Sequence, residues 1–225
     1  MLAADTTVTI DVTPVADAPA VEAVNVSGNE DTPIPLNISM AETDADGSET
    51  LSAVTISGVP AGATLSAGTF DAETNTWTVS AAQLEGLTLT PPANFHGTIE
   101  LTASVTSTDG TDTATTTDAF SVTVSAVADL TAADDHFTVT EDGSLSGSVA
   151  DTTTSGGTLT YAVESSVAHG TLTFASNGTF TYAPAGDFSG TDSFTYTVTD
   201  PASGESSTRT VSIAVTPVAD APAVE

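Results

Sequence analysis

Carboxylates are the residues of this chain whose type and placement could do chemistry. One Asp stands in each of three similar linkers, at Asp17, Asp129 and Asp220. Acid pairs occur at Glu30-Asp31 and at Glu141-Asp142. The turn DADG carries Asp44 and Asp46, and Asp109, Asp134, Asp135, Asp151, Asp187 and Asp200 lie in or beside other turn signals. Side chains that offer only oxygen suit a hard divalent cation. Calcium takes six to eight oxygens at about 2.3–2.6 Å, whereas magnesium demands an octahedron and keeps its waters. These carboxylates are therefore candidate calcium ligands. Catalysis has no comparable footing. None of the acids pairs with a nucleophile and base, and His96, His136 and His169 are scattered. A His-based zinc site does not fit that spacing. There is no cysteine, hence no disulfide and no thiolate site. The chain does not read as an enzyme.

The elements that must position these acids are short strands. VTPVADAPAVE occurs unchanged at 12–22 and at 215–225, and VSAVADL at 124–130 is a weaker copy. Each copy follows an alternating run: TVTIDV at 7–12, FSVTV at 120–124 and TVSIAV at 210–215. That is a last strand entering a Pro/Ala linker. Repetition of this kind marks a tandem array. It predicts the tail strand and linker of a preceding repeat at 1–18, one repeat at 19–127, a second at 128–217, and a linker to the next at 218–225. Seven or eight short strands per repeat, separated by Gly, Pro and Asp turns, predict an all-β fold of two tandem Greek-key β-sandwiches. Phe180 with Tyr182, and Phe194 with Tyr196, alternate as core residues do. Trp77, between Thr76 and Thr78, reads as a core anchor. The segment 80–85 reads as one helical turn capped by Ser80. The Thr-rich segment 109–118 reads as a loop.

Strand direction sorts the acids between the two ends of each sandwich, because antiparallel neighbours alternate. The start of the first repeat collects Asp17, Asp44, Asp46 and Asp109. The junction collects Glu30, Asp31 and Asp129 with Asp134, Asp135, Asp151 and Asp200. The far end collects Glu141, Asp142, Asp187 and Asp220. So many like charges would repel without a cation among them.

Thirty Asp and Glu stand against one cation, Arg209, for a formal charge of −29. Nucleic acid is excluded as a partner, because phosphate binding needs clustered cations. No apolar run is long enough to insert in a membrane. Two readings of the charge stay open: carboxylates converging on calcium, or a uniformly solvated acidic surface suited to salty water.

The VADAP linker, the (N/T)ED start, the DADGSE turn, SGVPAGATLSAG at 57–68, TLTPPANFHGT at 88–98 and AHGTLTFASNGTFTYAPAGDFSGTDSFTYTVTD at 168–200 resemble the cadherin-like and VCBS-type tandem repeats of giant, type I-secreted bacterial adhesins of the RTX type. The resemblance implies immunoglobulin-like extender domains in an elongated array. It implies calcium at their junctions, and a role in holding a distal ligand-binding region off the cell surface for adhesion and biofilm formation. It also implies that Glu30, Asp129 and the Asp151 region share an ion. The second repeat departs from the pattern, with DTTTSGG at 151–157 where the first has DADG. That implies fewer ions, or weaker binding, at the middle junction. The expected partners are neighbouring repeats of the same monomeric chain, outside the cell. The alternative is a module that itself binds a glycan or surface receptor.

Overall fold

The computed structural model describes residues 8, 9, 11–44 and 47–219. The chain divides into two units, Met1–Ala126 and Val127–Glu225. Residues 8, 9 and 11–19 form no strand, against the tail strand expected at 7–12, of which residues 7 and 10 lie outside the described residues.

In the first unit, Gly97–Asp109 and Asp112–Ser125 form a long antiparallel pair, in register from Gly97 with Val124 to Asp109 with Asp112. Apolar residues alternate along both, so Ile99, Leu101, Ala103, Val105, Phe120, Val122 and Val124 share one buried face. The expected loop over 109–118 is thus mostly strand. Its β-branched Thr residues favour extended chain, and Gly110, at φ 59°, supplies the turn. The sheet runs Val26–Asn29, Asp112–Ser125, Gly97–Asp109, Val54–Ser57, Thr76–Val79, Thr69–Asp71, and Thr50–Leu51 also pairs with Gly97–Asp109. A second sheet, Ile34–Pro35, Thr88–Thr90 and Thr64–Leu65, contributes Ile34, Leu89 and Leu65 to the same core. A third, two-stranded piece pairs Ala20–Val24 with Asn37–Ala41. The helical turn Ala81–Leu84 buries Leu84, and the Ser80 amide donates to Gln83 Oε1 at 3.1 Å. Trp77 packs against the core but stays half-buried at the sheet margin.

The second unit repeats the plan. One sheet runs Asp135–Thr140, Ser206–Thr216, Gly190–Thr199, Thr160–Ser165; the other runs Leu145–Ser148, Thr179–Pro184, Gly170–Phe174. The short pair Leu130–Thr131 and Thr152–Thr153 stands beside them. Phe180, Tyr182, Phe194 and Tyr196 are all buried as their alternation predicts. Phe180 meets Phe194 edge-on at 5.2 Å. Each such ring contributes roughly 1.5–3 kcal/mol by burial alone. Gly147 is small because Phe180 needs the room: a Cβ there would lie 2.7 Å from its Cζ.

In both units the first strand of the larger sheet pairs parallel with the last, Val26–Asn29 with Val122 to Ser125 and Asp135–Thr140 with Val211 to Thr216. The fold is all-β, with strands paired into sheets around one apolar core in each unit. Among the described residues no helix is long and apolar enough to cross a membrane.

Candidate functional site

At the start of the first unit the turns bring three expected ligands together. Asp17, Asp44 and Asp109 line one cleft of about 440 Å³, beside Ser48. Asp46 lies outside the described residues. The residue that sequence reasoning missed is Glu49. It is 6% exposed, and its Oε1 accepts the Asp17 amide. Its Oε2 is buried without a hydrogen-bond partner. The Ser107 hydroxyl donates to the Asp17 carbonyl, and the Ala16 amide to Asp112 Oδ2 at 3.0 Å. Glu49 belongs to DADGSE, so the signal was the acid that closes that turn; nothing local distinguishes it from an exposed Glu.

At the other end of this unit, Glu30 is buried and its amide donates to the Ser125 carbonyl at 3.0 Å. His96 Nδ1 lies 3.9 Å from Glu30 Oε2. Asp31 adopts a left-handed φ of 56° and accepts the Asn94 amide at 2.9 Å.

The start of the second unit uses hydroxyls where the first has DADG. Asp129 is buried; its amide and that of Leu130 donate to Glu205 Oε2 at 2.9 and 2.7 Å. Thr154 Oγ1 donates to Asp129 Oδ1 at 2.5 Å, while Asp129 Oδ2 has no hydrogen-bond partner. Asp200 is fully buried and accepts from Ser155 Oγ at 2.6 Å, from Thr153 Oγ1 and from the Ala202 amide. The hydroxyls of Ser155 and then Thr153 hold its carboxyl down to about 2. Asp151 is occupied elsewhere: its Oδ2 accepts the Tyr196 hydroxyl at 3.0 Å and its Oδ1 the Ala133 amide at 3.3 Å. Burial, and next the charge of Asp151, pushes Asp135 up. Asp134 Oδ1 accepts the Thr210 amide at 2.9 Å.

At the far end of the second unit, Glu141 is buried and its Oε1 accepts the Val218 amide at 2.7 Å. Asp142 and Asp187 are exposed, Asp187 at φ 58°. Asp220 lies outside the described residues.

Among the described residues, no three His, Asp or Glu side chains stand close enough to hold a metal as placed. The donor sets differ in what they could accept. The cleft of Asp17, Asp44 and Asp109 is open and anionic, and its carboxylates are oxygen donors of the type a hard cation takes. Asp200 is already saturated by hydroxyl and amide donors and fits one poorly. Asp129 keeps one unpartnered oxygen.

No characterised protein sequence matches the chain. Among solved structures, it superposes on Drosophila N-cadherin EC1-3 with a TM-score of 0.36 and 16% identity, over 90% of this chain and 68% of that one. Titin domains z1z2 in complex with telethonin give 0.42 and 14%, over 92% and 100%. An endo-fucoidan hydrolase of glycoside hydrolase family 107 gives 0.32 and 15%, and the chain spans only 29% of its length. Scores this low carry no function across. The sequence comparison is narrower: residues 128–217, the body of the second unit, match the bacterial cadherin-like domain.

Proposed function

We propose that this chain is a calcium-stiffened spacer of a large bacterial surface adhesin, of the kind exported by type I secretion, and that it holds a distal ligand-binding region away from the cell. It acts outside the cell, in adhesion and biofilm formation, with neighbouring repeats of its own chain as partners. The observation that carries this reading is Glu49. A carboxylate oxygen buried without a donor costs several kcal/mol unless it is neutralised, and this one stands beside the linker residue Asp17. Asp17, Asp44, Asp109 and Glu49 would hold the ion, which supplies the missing positive charge. The linker backbone is held by acids throughout: Glu49 takes the Asp17 amide, Glu205 the Asp129 amide and Glu141 the Val218 amide. A cation joining these acids to those of an adjoining repeat would remove the linker's freedom to hinge. Extracellular calcium modules bind at roughly 10⁻⁴–10⁻³ M, so such sites fill outside a cell.

The test is small-angle scattering of the chain in calcium and in chelator. A maximum dimension that grows with calcium supports the spacer. An unchanged dimension in both conditions rejects it.

A further inference from the structure

Phe70 and Trp77 pair directly across the outermost two strands of the first unit, and Trp77 pairs with Ile56 on its other side. Residues paired this way share a face, and Ile56 is fully buried in the core. Both aromatic rings therefore project from the core-facing side of their sheet. They do so at its margin, where the sandwich opens beside Thr64–Leu65. The ring centroids are 5.5 Å apart with planes tilted by 42°. Phe70 is 45% exposed.

Val59, Pro60 and the two rings line an open cleft of about 400 Å³, together with Thr64 and Asn75. No side chain lining it is charged. On a chain with thirty acids, that uncharged lining sets the chemistry of an occupant. Asn75 stands at a left-handed φ of 53° at the turn joining the two aromatic strands.

We infer that this cleft binds a neutral sugar ring of a polysaccharide. The apolar C–H face of such a ring lies against Trp77 and Phe70, as amphipathic ligands do on aromatic floors. Its hydroxyls meet the Asn75 amide and the Thr64 hydroxyl. The volume is in the range of small-ligand sites, which combine an apolar lining with a few polar groups. The acidic chain repels uronic or sulfated polymers. A cationic ligand finds no carboxylate in the lining, and a purely apolar one leaves Asn75 and Thr64 without a role. Addition of a peptide strand is a poor alternative, because the edge strand Thr69–Asp71 is too short to template it. This inference does not depend on the calcium proposal.

Trp77 is the sole tryptophan, so its emission reports the cleft directly. The chain is titrated with cellohexaose, maltohexaose and chitohexaose at fixed calcium. Polygalacturonate is the anionic comparison and a proline-rich peptide the protein-ligand comparison. The expected result is a saturable blue shift with at least one neutral sugar. Phe70→Ala should weaken it at least tenfold; Phe70 is half exposed, so the fold should persist. Asn75→Gly keeps the left-handed backbone and removes the amide, and should weaken it about fivefold. No shift with any neutral sugar overturns the inference. So does a shift that survives both substitutions, an equal response to polygalacturonate, or a response to the peptide alone.

Discussion

The Asp129 amide donates to Glu205 Oε2 at 2.9 Å, and Leu130 donates to the same oxygen at 2.7 Å. One side chain from the turn after Asp200 therefore fixes the start of the second unit. Glu205→Ala leaves two partly buried amides without an acceptor, at about 1–3 kcal/mol. Urea unfolding should show that loss in the second unit. Glu205→Gln retains an oxygen acceptor and should cost less.

Calcium should act on the first unit through Glu49. With sites of 10⁻⁴–10⁻³ M, 10 mM calcium adds about 1.4–2.7 kcal/mol of stability by mass action. Melting curves against free calcium should rise by that amount in the parent chain. In Glu49→Ala the rise should vanish. A calcium response unaltered by Glu49→Ala would remove Glu49 from the site.

Asp192 organises the interior of the second unit. It accepts the Ala168, His169 and Ser193 amides at 2.8–2.9 Å and the Tyr182 hydroxyl at 3.1 Å. Burial, then the hydrogen bond to Asp192, pushes the Tyr182 hydroxyl up to about 12. Asp192→Ala strands several donors at once and should cost about 2–4 kcal/mol. Tyr182→Phe should cost about 1 kcal/mol, leaving the three amides paired. Denaturant midpoints of the two variants check the order.

Acid should weaken the second unit through Asp200. Its carboxyl is held near 2 when folded, against about 3.9 in an unfolded chain. The unfolded chain therefore binds more protons between those values, and stability is complete above about pH 4 and falls as pH drops toward 2. Asp135 is shifted up and works in the opposite sense, but at pH values above its ordinary pKa and so outside this window. Asp200→Asn should flatten the slope of the urea midpoint against pH in this window. A slope as steep as the parent's would assign the acid response to other carboxylates.

Much of the fold was readable because its signals are local. Alternation placed Phe180, Tyr182, Phe194 and Tyr196 in the core, and all four are buried. The misreadings are where local and tertiary information part. Residues 109–118 look like a loop by composition, yet the register with Gly97–Asp109 makes most of them strand. The Thr69–Asp71 strand is short enough to pass for a turn, and without it Trp77 looks like an ordinary core residue. Glu49, Asp192 and Glu205 escaped for another reason. A carboxylate's role depends on which backbone amides surround it, and those come from distant segments: Ala168 and His169 for Asp192, Asp129 and Leu130 for Glu205. The replacement of DADG by TTTS was visible as a departure. That its hydroxyls reach Asp129 and Asp200 was not.

The parallel pairing of first and last strands also fixes how each unit meets tension. A pull along the chain drags the two strands lengthwise past one another, so their interstrand bonds must rupture together rather than unzip singly. Six residue pairs share that shear in the second unit and four in the first. At a given force along the chain the first unit, with fewer such pairs, should yield before the second.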